Sequence, residues 1–208
     1  MNIVGFGGFP SPPLLDYVFE LAGGRRVLID QTAAPQHPPL ELPFEVTRVS
    51  FYPWPPDDLR ELALSHDVIL VCGGNTANML AVWRLHGFDA ILREAWEAGV
   101  VLTGWSAGMI CWFEAGVTDS FGPHLEGMRD GLGFLPGSAC PHYDGDELRR
   151  PVYQTLVRDG FPPGIALDDS VGAHYVGTEL RELVTASPSS RGYRVDASGE
   201  TALTAVVV

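Results

Sequence analysis

The sequence predicts an α/β protein: a doubly wound, mostly parallel sheet with helices on both faces and antiparallel strands toward its C-terminal end. Three observations predict it. Short apolar runs such as residues 27–30 (VLID) and 68–72 (VILVC) alternate with stretches of helical spacing, the pattern of strands buried on both faces. An apolar run from Val100 to Thr103 passes through Gly104-Trp105-Ser106-Ala107-Gly108 into a helix-forming run, so a G-x-S-x-G sits at a strand-to-helix junction. Residues 164–208 hold several short β-branched runs and no long helical pattern. At 208 residues the chain is expected to form one domain, spanning residues 1–208.

The elements follow in order. Residues 2–9 (NIVGFGGF) read as a first strand entering a Gly-rich turn. Pro12 and Pro13 introduce a helix over residues 14–21, which Gly23-Gly24 closes. After the strand at residues 27–30 comes a proline-rich surface loop, residues 31–43, and then an alternating strand within residues 44–52. Pro55-Pro56-Asp57-Asp58 starts a helix running to Ser65, and the strand at 68–72 leads through Gly73-Gly74-Asn75-Thr76 into a helix over 77–85. A further helix, residues 89–98, ends at Gly99 before the strand that carries the G-x-S-x-G. Residues 116–137 are rich in Gly and turn formers and predict a loop-rich excursion; residues 151–158 predict a short helix.

A formal net charge of -13 argues against non-specific binding to nucleic acid or to anionic membranes, both of which need a basic face. The three cysteines, Cys72, Cys111 and Cys140, read as free thiols in a reducing compartment. Without a signal-like N-terminus or a membrane-length apolar run, a cytoplasmic protein is expected.

In the G-x-S-x-G, the glycines are expected to turn the chain sharply and present the Ser106 hydroxyl beside the free N–H groups of the following helix; the bland alternative is a helix-capping serine. A nucleophilic serine needs oxyanion donors and a base. Gly74 follows a central strand, so the backbone N–H groups of Gly74 and Ala107 are the candidate oxyanion hole, against a plain tight turn at Gly73-Gly74. Of six histidines, His142 in Pro141-His142-Tyr143-Asp144-Gly145-Asp146 lies in an expected sheet-edge loop and ranks ahead of His174, which falls in a strand. The orienting acid is expected to be buried at a strand end. Ile165-Ala166-Leu167-Asp168-Asp169 fits, with Asp119 as the competitor. Two other constellations are weak. Gly5-Phe6-Gly7-Gly8 with Asp30 echoes a dinucleotide-binding fingerprint, but Pro10 replaces the third glycine. His142 with Asp144 and Asp146 lacks the spacing of a metal site, and neither a metal nor an organic cofactor is expected.

In that order, Gly73-Gly-Asn-Thr76, Gly104-Trp-Ser-Ala-Gly108, Pro141-His-Tyr143 and Gly164-Ile-Ala-Leu-Asp-Asp169 make the middle of the chain resemble peptidase family S51, which contains aspartyl dipeptidase (peptidase E) and the cyanophycinases. The resemblance implies a cofactor-free serine hydrolase on a flavodoxin-like sheet, related to class I glutamine amidotransferase domains. It implies Ser106 as nucleophile, His142 as base, and Gly74 with Ala107 as oxyanion donors. Family members are often described with a glutamate where this chain has Asp169, and the shorter side chain needs a closer backbone or makes a weaker hydrogen bond. Asp119 matches another acid assigned the same role. An arginine beyond the histidine holds the substrate's acidic side chain in the aspartyl dipeptidases, which makes Arg149 and Arg150 candidates; Asn75 is a third substrate-binding candidate.

The function these residues predict is cleavage of short peptides, among them dipeptides with N-terminal Asp, through a Ser106–His142–Asp169 triad. The alternatives are hydrolysis of another amide or ester, and a catalytically silent small-molecule binding module on the same fold. A small peptide is the expected partner. The sequence leaves the oligomeric state open, a homodimer included.

Overall fold

The computed structural model describes residues 1–208. Five strands, β1 (Asn2–Phe6), β2 (Val27–Asp30), β3 (Val46–Val49), β4 (Val68–Val71) and β5 (Val101–Trp105), lie parallel in the spatial order β1-β5-β4-β2-β3. Their side chains alternate between two cores, as the two-residue period of a strand requires. Val4, Phe6, Val27, Ile29, Val68 and Leu70 face one core, together with Leu14, Leu15, Val18 and Phe19 of helix α1 (Pro12–Ala22). Ile3, Leu28, Ile69, Val71 and Leu102 face the other, beneath α2 (Leu59–Leu64), α3 (Thr76–His86), α4 (Phe88–Glu97) and α5 (Ala107–Ile110). Helices therefore cover both faces of the sheet.

The chain from Phe113 onward corrects the expected plan. The loop-rich excursion expected over residues 116–137 instead holds the second half of β6 (Phe113–Thr118), all of β7 (Glu126–Met128) and the start of β8 (Leu135–Cys140). After α6 (Arg149–Arg158), β9 (Gly164–Leu167) pairs parallel with β8, and β12 (Gly192–Asp196) and β13 (Gly199–Leu203) extend the same sheet antiparallel. The result is a second, six-stranded sheet in the order β13-β12-β9-β8-β6-β7. Only β10 (Val171–Val176), β11 (Glu179–Thr185) and β14 (Ala205–Val207) return to the first sheet, beyond β1. β10 runs antiparallel to both β1 and β11, while β14 runs parallel to β11.

The two sheets share one core. Ile3 and Leu28 from the first belong to the same buried cluster as Leu135, Ala139 and Ile165 from the second. An aromatic run crosses this core: Trp83 stacks on Trp112, Trp112 packs on Phe134, and Phe134 stacks on Trp96. At its head, Trp83 Nε1 donates to Asp30 Oδ2 over 2.9 Å, and Asp30 Oδ1 accepts from Thr32 N over 2.7 Å.

Asp30 is fully buried without a cation, and burial pushes its carboxyl up to about 6. The unfolded chain therefore ionises this group first, so folding stability falls as pH rises from about 4 to about 6. Asp30→Asn removes that fall. We expect wild type minus variant stability, from urea unfolding at about pH 4 and about pH 7, to drop by about 2 kcal/mol across the interval. A flat difference would show that Asp30 ionises normally.

No helix is long and apolar enough to cross a membrane. All three cysteines are buried free thiols, and burial pushes Cys72 and Cys140 up to about 12, away from the thiolate range of reactive cysteines.

Candidate active site

β5 delivers Ser106 to the C-terminal edge of the first sheet, where Ser106 adopts φ 55 and ψ -113. A non-glycine residue in this region is strained and persists only where its surroundings hold it. Here Ser106 N donates to Phe6 O, while Met109 N and Ile110 N both donate to Ser106 O. The flanking glycines do not make the turn, since neither Gly104 nor Gly108 has a positive φ. They allow close approach instead. A Cβ on either would collide with the Val71 carbonyl of β4. The Ser106 hydroxyl makes no capping bond to its helix, so the capping alternative falls.

Three residues past the end of the adjacent strand β4, Gly74 has φ 141, and a Cβ there would run into the Ala33 carbonyl. The N–H groups of Gly74 and Ala107 donate to no protein acceptor. Two free donors thus stand on neighbouring strand ends, as an oxyanion requires. Asn75 caps α3 through Oδ1 and donates from Nδ2 to Ser120 O, which ties the loop after β6 to the cleft wall.

The base and its partner come from the second sheet. The parallel register pairs Cys140 with Ala166, so β8 and β9 release His142 and Asp169 side by side. His142 Nδ1 lies 2.5 Å from Asp169 Oδ1. A carboxylate only accepts, so the proton sits on Nδ1 and the Nε2 lone pair is left for the cleft. The expectation of a buried orienting acid needs correcting. Asp168 is the buried one and takes Arg191 N, with its carboxyl raised by desolvation, whereas the Asp169 side chain is 49% exposed. The backbone does close in on Asp169. Gly8 N donates to Asp169 O, and a Cβ on Gly8 or Gly145 would fall 2.8 Å from a carboxylate oxygen. Asp144 Oδ1 accepts Asp169 N and fixes the loop.

These contacts explain two minor motifs. Gly7 and Gly8 spend their N–H groups on Val171 O and Asp169 O, which leaves no phosphate cradle. Asp144 serves Asp169 N and Asp146 serves Leu148 N, and no cluster of three or more His, Cys, Asp or Glu is arranged to hold a metal. The contributions of Gly8, Gly145 and Asp144 were hidden in sequence. Their only signal was glycine and acid at loop positions that seemed to belong to other motifs.

Ser106, His142, Gly74, Asn75, Asp119 and Arg149 line one cleft of about 800 Å³. Neither Ser106 Oγ nor His142 Nε2 is bonded to a protein group, a loose arrangement usual in unliganded sites. The Asp119 carboxylate is exposed in the cleft and is not the partner of His142. The two arginines part ways. Arg149 is 7% exposed and faces the cleft, with Nη1 on Val117 O, Nε unpartnered, and Asp146 Oδ2 at 3.7 Å. Arg150 does not reach the cleft: it lies over Tyr143 and Tyr193 and pairs with Glu200. Successive helical residues point about 100° apart, which separates them. His174 is also elsewhere. It is buried in β10, its ring nitrogens held by the Tyr17 hydroxyl and Asn2 Oδ1, and burial lowers its pKa.

Fold and cleft together define a doubly wound α/β protein whose Ser106 and His142 line one cleft at the sheet's carboxyl edge. The sequence profile of peptidase family S51 matches residues 34–183, and the chain belongs to that family. It is 47% identical over 150 residues to the uncharacterized peptidase YgaJ of Bacillus subtilis, across 72% of this chain and 64% of that protein. It is 29% identical over 135 residues to peptidase E of Shewanella denitrificans, across 60% of this chain and 57% of that protein. The chain therefore spans about six-tenths of the length of these relatives. A crystal structure of a peptidase from an acI-B1 actinobacterium superposes with a TM-score of 0.69 at 18% identity, covering 98% of this chain and 94% of that one. At that identity it supports the fold alone.

Proposed function

We propose that this protein is a serine peptidase of short peptides that prefers an N-terminal aspartate. One observation carries the proposal: a strained, uncapped Ser106 shares a cleft with a histidine whose Nδ1 is held by Asp169. Ser106 Oγ attacks the scissile carbonyl and passes its proton to His142 Nε2. The Gly74 and Ala107 N–H groups receive the oxyanion, and Asp169 stabilises the imidazolium. His142 then protonates the leaving amine, and water, activated by the same histidine, releases the acyl group.

Selectivity for aspartate rests on charge. Arg149 is a buried guanidinium on the cleft lining, with Asp146 Oδ2 3.7 Å from its Nε and no hydrogen bond at that atom, and it is suited to a side-chain carboxylate. Asp119 offers an exposed carboxylate on the same cleft for the substrate's ammonium group. The test is a dipeptide panel run on wild type and Arg149→Met. Wild type is expected to favour Asp-Leu over Ala-Leu, and the variant to lose that ratio by about 10²-fold, the worth of a buried charge-assisted pair. Because the ratio is taken within one protein, loss of folded variant does not affect it. An unchanged ratio would refute the role of Arg149, and a panel cleaved only at other amides would refute the aspartyl preference.

A further inference from the structure

The cleft extends well beyond the catalytic groups. Backbone register aligns Gly104, Val71, Asp30 and Val49 in one row across β5, β4, β2 and β3. Two to three residues past that row come Ser106, Gly74, Ala33 and Tyr52, and all four line the cleft. From Ser106 to Tyr52 is three strand-to-strand steps, about 14 Å at roughly 4.8 Å each. An extended peptide advances about 3.3 Å per residue, so this arm spans roughly four residues. The volume agrees: about 800 Å³ lies in the upper part of the roughly 300–1,000 Å³ that encloses drug-sized molecules, which are larger than a dipeptide.

The chemistry of the arm is as informative as its length. Its walls are Pro35 and Tyr52 on one side and Ala81 and Val82 of α3 on the other. Asn78, one turn nearer Ser106, has a side-chain amide without an internal partner, free to meet a peptide backbone. Arg149 is the cleft's single Lys or Arg and belongs to the opposite, second-sheet side. The arm therefore offers no Lys or Arg for the carboxylate that would end a dipeptide one residue past the scissile bond. Beside the polar Thr32, Gln36 and His37, it offers apolar contact from Pro35, Tyr52, Ala81 and Val82 instead. That surface is preorganised, because Gln31 Nε2 donates to the carbonyls of Ala34, His37 and Pro38 while its Oε1 accepts Leu40 N. Ser50 likewise brackets Tyr52, accepting its N–H and donating to its carbonyl. The Tyr52 ring is left 55% exposed.

We propose that this arm is a leaving-side subsite for peptides longer than dipeptides, holding an aromatic or large apolar residue against Tyr52 and Val82 about three residues past the scissile bond. The orientation rests on the reading above, in which Arg149 and Asp119 hold the amino-terminal residue at the other end. Binding can be measured without turnover by calorimetry on Ser106→Ala, comparing Asp-Ala with Asp-Ala-Ala-Phe. The tetrapeptide is expected to bind at least ten times more tightly. Adding Tyr52→Ala or Val82→Ser should bring the ratio toward one, and Tyr52→Phe should preserve it. Equal affinities, no tetrapeptide binding, or a gain that survives both Tyr52→Ala and Val82→Ser would overturn the subsite. Turnover of Asp-Ala by wild type separates the two ideas. Cleavage of Asp-Ala with equal affinities sinks the subsite alone. Tyr52-dependent tetrapeptide binding to a protein that cleaves neither peptide supports the subsite and sinks the peptidase reading.

Discussion

Replacing Ser106 by glycine is expected to lower kcat/KM by at least about 10⁴-fold while raising the thermal midpoint, because in the proposed mechanism one residue carries both the nucleophilic hydroxyl and the backbone strain. The backbone at Ser106, φ 55 and ψ -113, is open to glycine at little steric cost. Relief of an energetic cost of about 1–3 kcal/mol should therefore appear as stability. Ser106→Ala loses the same activity without that gain, since alanine keeps the Cβ. A fluorophosphonate should label wild type once and leave both variants unlabelled. Undiminished hydrolysis by Ser106→Gly, or labelling that persists in it, would remove Ser106 from the chemistry.

The second large effect is expected at the histidine and its acid. His142→Ala should cost about 10⁴-fold in kcat, because the serine then lacks both base and leaving-group acid. Asp169→Asn should cost about 10³-fold, somewhat less than for a fully buried acid, since the Asp169 side chain is 49% exposed and water partly replaces its charge. Two controls distinguish position from chemistry. His174→Ala should lower stability with kcat retained, because that ring is sealed between Tyr17 and Asn2. Asp119→Asn should raise KM more than it lowers kcat. Activity that survives His142→Ala and vanishes in His174→Ala would reverse the assignment.

The centre of the parallel sheet was legible because β2 and β4 are continuous apolar runs, buried on both faces and bounded by turn residues. The second sheet was not. β6 (FEAGVT) and β8 (LPGSAC) hold Gly, Ser and Ala where a strand ordinarily shows β-branched residues, and such a composition reads as loop. The structure supplies the reason: a Cβ on Gly116 would strike Ile110, and one on Gly164 would strike the Ser138 backbone, so packing there demands small residues. The same ambiguity ran through the site. Gly7-Gly8 resembled a phosphate loop but makes room for the Asp168-Asp169 turn. Adjacent pairs defeated sequence reasoning altogether, since Asp168 and Asp169, or Arg149 and Arg150, differ only in which way the backbone turns them.

Ser106 stands on one sheet and His142 on the other, joined through the core that Trp83, Trp112, Phe134 and Trp96 traverse. In the proposed mechanism, the distance over which the proton passes is therefore set by how two layers rest on each other, not by any single loop. A substitution that lets those layers slide, such as a smaller residue at Phe134, would detune the pair while every catalytic side chain stayed in place. Variation in turnover among chains of this design is then to be sought in their interiors as much as in their clefts.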